Sequence, residues 1–121
     1  EGGLLFDEAA KEEVFAELGK SYISGITFSG GDPLYLGSRW DLLGLVKEIK
    51  EKFPNKTMWL YTGYLWEDVK DLELVSYLDV LVDGEFLYEQ FDASLKWKGS
   101  ANQRVIDVQK TLATGEVVLH A

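Results

Sequence analysis

At 121 residues, 46% of them hydrophobic, the chain has the length of one domain and enough apolar content for a core, so disorder is excluded. A formal net charge of −9 argues against non-specific binding to nucleic acid and to anionic membranes, which both depend on Lys and Arg. Cysteine is absent, which removes disulfides, thiolate nucleophiles and thiolate metal ligands.

The first expected element is a helix. Phe6-Asp7-Glu8 followed by Ala10, Val14 and Leu18 has helical spacing, Asp7 can accept from free backbone N–H groups, and both acids suit the positive end of the dipole. Gly19, able to take a positive φ, is its expected stop. Ile23 to Phe28 is a short apolar, β-branched run that reads as a buried strand, with Ser29-Gly30-Gly31-Asp32-Pro33 as the loop after it. Ser38 then caps a helix whose Leu42, Leu45, Val46, Ile49 and Phe53 recur at helical spacing and which Pro54 ends. Thr57 to Tyr61 is the next expected strand, ending at Thr62-Gly63. A shorter helix runs from about Trp66 towards Val75, with Glu67 and Asp68 in its first turn. Leu78 to Val82 then reads as a strand that stops at Asp83-Gly84.

Short strands separated by helices cannot pair as hairpins, so the alternation predicts an α/β domain with a parallel sheet and right-handed crossovers. A helix at the front implies a partner strand upstream. The tail breaks the pattern: Phe91 to Asn102 reads as irregular, Arg104 to Val108 as a short strand, and Glu116 to Leu119 as another after a Thr114-Gly115 turn.

Each expected strand ends in a glycine turn with a polar side chain: Ser29 to Asp32, Thr62-Gly63, and Asp83-Gly84. A parallel sheet lines these turns along the edge where open α/β sheets and β/α barrels hold their ligands. Gly30-Gly31-Asp32-Pro33 suits a cationic group, because exposed carbonyls and a carboxylate can all accept from an ammonium. It lacks the Lys of a phosphate loop and is not GxGxxG. Each turn also fits plain turn geometry. Lys96 to Arg104 is the one basic patch, suited to a ligand, to a partner protein or to solvent alone. His120 is expected as a solvated tail residue, Glu12-Glu13 and Glu67-Asp68 as solvated charge, and Trp40, Trp59 and Trp66 as packing aromatics. There is no Ser-His-Asp arrangement and no His or Cys cluster with metal spacing, so no catalytic side chain and no metal ligand is singled out.

Four stretches taken in order carry a family resemblance: Gly25 to Leu34, Trp59 to Tyr64 with Trp66-Glu67-Asp68, Asp79 to Gly84, and Gly99 to Asp107. Together they make the chain similar to the activating proteins of anaerobic ribonucleoside-triphosphate reductase, which are small radical S-adenosylmethionine enzymes. The resemblance runs from about Gly3 to Val108. It implies a parallel-stranded partial (β/α) barrel of the radical-SAM type, here truncated at the N-terminus, with residues 1–121 as a single-domain fragment.

The resemblance also implies a chemistry. A [4Fe-4S] cluster held by three cysteines binds the amino and carboxylate groups of S-adenosylmethionine, and its electron cleaves the sulfonium. The resulting radical takes a hydrogen from a glycine of the reductase. Ser29, Gly30, Gly31, Asp32 and Pro33 match the family's motif around the methionine amino group. Thr62, Gly63, Asp83 and Gly84 match strand ends facing the same cofactor, while Asn102, Gln103 and Arg104 match a stretch of no assigned role. The family's CxxxCxxC loop would lie ahead of the first helix. The cluster is therefore expected only in a full-length parent, and this cysteine-free chain is expected to be inactive. The implied partners are the reductase large subunit and an electron donor of unknown identity, with no nucleic acid and no membrane.

Without a leader or an apolar run of roughly 20 residues, a cytoplasmic location is expected. The alternatives are an activase of another glycyl-radical enzyme, such as pyruvate formate-lyase, and a non-enzymatic flavodoxin- or receiver-like binding module.

Overall fold

β1 (Gly25–Phe28) pairs in parallel with β2 (Thr57–Tyr61), and β2 in parallel with β3 (Val80–Asp83). The computed structural model describes residues 13, 15–21, 23–28 and 39–120. α1 (Arg39–Lys52) lies between β1 and β2. The expected third helix is divided into α2 (Trp66–Val69) and a 3₁₀ turn over Glu73–Tyr77. Residues 15–18 are helical, and the Gly19 N–H donates to the Phe15 carbonyl at 3.0 Å. The expected start of that helix, from Asp7, lies outside the described residues. Gly19 does not take the left-handed conformation; among the described glycines only Gly84 and Gly115 do.

The α/β class holds, but the sheet is mixed. β4 (Arg104–Asp107) pairs antiparallel with β3, in the order β1-β2-β3-β4. Residues 84–103 contain no crossover helix, so the chain re-enters the sheet at the edge it left and must run back along β3. α3 (Val108–Thr114) follows at once. The Asp107 carboxylate accepts from the Lys110 N–H at 3.0 Å to begin it, and Gly115, at φ 82°, ends it. The strand expected over Glu116 to Leu119 is reduced to one bridge between Ile106 and Leu119.

Alternation along β2 separates two faces. Met58 and Leu60 point with Phe28, Leu81 and Ile106 into a core closed by Leu42, Leu45, Val46 and Ile49 of α1, and by Trp66, Val69 and Val75. Trp59 and Tyr61 point the other way and pack with Val80, Val82, Val105 and Trp97. β3 is buried on both faces, which explains its uninterrupted apolar run. Gly25 permits the β1–β2 contact: a Cβ there would sit 2.2 Å from the Thr57 carbonyl oxygen.

Candidate functional site

Two of the three expected turns are laced together at the carboxyl edge of the parallel strands. The Thr62 N–H donates to the Val82 carbonyl at 3.0 Å, and the Gly84 N–H to the Tyr64 carbonyl at 2.9 Å. Thr62 is buried, and its hydroxyl oxygen accepts from the Tyr64 N–H at 3.1 Å. Gly84 takes φ 97°, which favours glycine there. β1 ends at Phe28, level with Leu60 of β2. The residues expected to form the loop after it, Ser29, Gly30, Gly31, Asp32 and Pro33, lie outside the described residues.

Asp83 is fully buried, and its carboxylate is engaged by the protein itself. It accepts from the Trp66 N–H at 2.8 Å, which starts α2 in place of the side-chain cap that Leu65 cannot supply. It also accepts from the Arg104 N–H at 3.2 Å and from the Arg104 guanidinium. The guanidinium reaches on to Glu67 at 2.8 Å, so Glu67, though exposed as expected, is also an ion-pair partner. Hydrogen bonding from Arg104 holds the Glu67 carboxyl below its ordinary value, and Asp83 first, then Glu67, raises Arg104 above its own.

The preceding residues continue this stitching. The Gln103 side-chain amide donates to the Gly84 carbonyl at 2.9 Å, and that of Asn102 to the Glu85 carbonyl at 2.8 Å. The Gln103 side-chain carbonyl accepts from the N–H groups of Gly99 and Ser100 at 3.0 and 3.1 Å. Arg104 thus ends the antiparallel ladder opposite Asp83, and the side chains of Gln103 and Asn102 continue the pairing past it to the carbonyls of Gly84 and Glu85. Sequence reasoning assigned them no role, because the register that pairs them is not a local property.

The opposite face of the sheet carries an aromatic group. Trp97 meets Trp59 at 5.7 Å and His120 at 4.8 Å, and Tyr61 donates its hydroxyl to the Trp97 carbonyl at 2.6 Å. His120 is therefore half-buried packing, not a solvated tail residue. Burial raises the Tyr61 phenol above its ordinary value. A depression of about 370 Å³ opens beside these rings, lined by Gly25, Thr27, Thr57, Trp59, Tyr61 and Trp97 among others.

The family model described as a 4Fe-4S single cluster domain matches residues 1–106. A relative from Enterobacteria phage T4, named anaerobic ribonucleoside-triphosphate reductase-activating protein, is 44% identical over 103 residues, covering 85% of this chain and 65% of the relative. Relatives of the same name from Haemophilus influenzae and Escherichia coli K12 are 41% and 37% identical, over 84% and 85% of this chain and 68% and 70% of their own length.

The chain belongs to the anaerobic ribonucleoside-triphosphate reductase-activating protein family.

No solved structure matches it. The chain spans about two thirds of the length of these family members. The matched domain model links the family to an iron–sulfur cofactor. The residues present here do not fit a cluster: the sequence has no cysteine, and the described residues gather no group of three His, Cys, Asp or Glu able to hold a metal ion.

Proposed function

We propose that this chain is the S-adenosylmethionine-holding part of an anaerobic ribonucleoside-triphosphate reductase-activating protein, built as a partial (β/α) barrel of the radical-SAM type. The observation that carries the reading is the shared edge of the parallel strands, where Thr62 to Tyr64 are hydrogen-bonded to Val82 and Gly84. The family assignment supports it. Ser29 to Pro33 follow β1 in the chain, and their carbonyls and the Asp32 carboxylate have the acceptor chemistry for the methionine ammonium.

Thr62-Gly63 and Gly84 bring backbone close to the same ligand. Asp83 contributes by position, fixing the first N–H of α2 and the Arg104 side chain behind the edge. In an activating protein that carries cysteine ligands, S-adenosylmethionine held here and reduced by one electron would supply the hydrogen-abstracting chemistry by which the reductase large subunit gains its glycyl radical. The present chain alone, which needs an electron donor and cluster ligands it does not contain, is inactive in this reading. Its acidity fits a protein partner rather than nucleic acid, and no described helix is long and apolar enough to cross a membrane. A cytoplasmic site of action accords with both.

Isothermal titration tests the reading. S-adenosylmethionine should give weak, saturable heat that Asp32→Asn reduces, and flavin mononucleotide should give none. Flavin binding with silence towards S-adenosylmethionine would overturn it in favour of a flavodoxin-like module.

A further inference from the structure

Just beyond Asp83 and Gly84 the chain leaves the sheet, and it carries aromatic rings outward before returning at Gln103. Tyr88 is 83% exposed, Phe91 55% and Phe86 49%. Single exposed rings are ordinary, but two of these meet: Phe86 and Phe91 pack edge to face at 6.1 Å, and Tyr88 begins the short 3₁₀ turn that lies between them in the chain. Leu65, 49% exposed, follows Tyr64, whose carbonyl accepts from Gly84 at the base of the excursion.

The excursion is held firmly. The Leu87 N–H donates to the Ser100 hydroxyl at 3.2 Å, the Ala101 N–H to the Gln90 carbonyl at 3.0 Å, and Phe91 bridges Ser100. Ser100 and Gln103 are buried, and their side chains bond to this backbone. A Cβ on Gly99 would come to 3.0 Å from the Phe86 ring, so that ring rests directly on the segment returning towards β4. Buried polar groups thus fix the backbone that carries rings left about half exposed or more. An aromatic cluster ordered in advance suits binding, since association then loses little further side-chain freedom.

Charge selects the partner. Glu85, Glu89 and Asp92 alternate with the aromatic residues along the chain, all exposed, and no Lys or Arg lies between them. None of the three belongs to an ion pair among the described residues. An apolar patch with an acidic rim complements an apolar side chain flanked by basic ones.

We propose that residues 85–92 form a docking surface for a segment of the reductase large subunit in which Lys or Arg flanks an apolar anchor. The identity of that partner rests on the activating-protein reading, and its chemistry rests on this surface.

The test is biolayer interferometry of the full chain against the reductase large subunit at two salt concentrations, with S-adenosylmethionine titrated into each variant. Tyr88→Ala with Phe91→Ala should weaken binding about tenfold or more. Glu85→Gln with Glu89→Gln should slow association and remove most of its salt dependence. Leu112→Ala, on α3, should bind as the unaltered chain does, and S-adenosylmethionine binding should be the same in all. If circular dichroism shows the double alanine variant to be unfolded, Tyr88→Lys replaces it and should weaken binding likewise. Equal affinity of the unaltered and rim-altered chains, or no binding of the unaltered chain, would overturn the docking surface. Loss of the S-adenosylmethionine signal in the unaltered chain would instead count against the activating-protein reading.

Discussion

Asp83 and Arg104 face each other at the last register position of the β3–β4 pair, the carboxylate fully buried and the guanidinium reaching outward to Glu67. The pair joins the ends of both strands and the start of α2 in one network.

Breaking one side of this pair should be costly. Arg104→Leu leaves the Asp83 carboxylate buried with only backbone donors, and Asp83→Ala frees both the guanidinium and the Trp66 N–H. Each should lower stability by about 3 kcal/mol, the low end for a buried pair because Arg104 is partly exposed. The double variant should lose less than the sum, since the two act as one unit. Urea unfolding of the three variants measures the coupling.

Acid should weaken the outer half of the network. The Glu67 carboxyl is held low chiefly by the Arg104 hydrogen bond. A carboxyl depressed in the folded state stabilises above its unfolded value and loses that contribution as pH falls through the folded one. The window therefore opens near the ordinary value of 4.5 and extends below it. Glu67→Gln should flatten the fall in urea midpoint there and change its slope little above about pH 6. Asp92, held low by Ser94, should leave a residual slope in that variant.

Gln103→Ala should loosen the excursion without melting the core. The change orphans the N–H groups of Gly99 and Ser100 and the Gly84 carbonyl, at a cost of about 2 kcal/mol. Hydrogen exchange should speed up across residues 85–101 and remain slow in β2 and β3. Uniformly faster exchange would mean that Gln103 supports the whole sheet.

Gly25→Ala tests the closest approach between strands. The added methyl meets backbone, which cannot swing aside as a side chain can, so β1 must shift against β2. A loss of about 2–3 kcal/mol is expected, typical of an overpacked site. Gly44→Ala, with open space around its Cβ position, should be neutral or stabilising. Thermal melts of both variants provide the comparison.

The features legible in the sequence were those that depend on near neighbours. The runs Thr57 to Tyr61 and Leu78 to Val82 marked β2 and β3, and the helical spacing of Leu42, Leu45, Val46 and Ile49 marked the buried side of α1. α3 was missed. Of its residues only Val108 and Thr111 are buried, too few to show a helical period, and its capping Asp107 and first residue Val108 read as part of a strand. His120 was misjudged because the tail pairs back along β4, its N–H bonding the Val105 carbonyl at 2.8 Å, which brings the imidazole against Trp59 and Trp97. At the candidate site the turns were legible as glycine beside a polar residue. What Asp83 does there was not, since its partners Trp66 and Arg104 reach it only through the fold.

The stitched base of residues 85–102 separates recognition from architecture. Because departure and return are sealed to each other by Gln103 and Asn102, the composition of residues 86–92 has little leverage on the sheet, whose outer face Trp97 helps to cover. Even doubling the length of such a segment adds only about 0.6 kcal/mol of closure entropy. Substitutions can therefore rewrite what residues 86–92 display while Asp83 and Arg104 keep the frame.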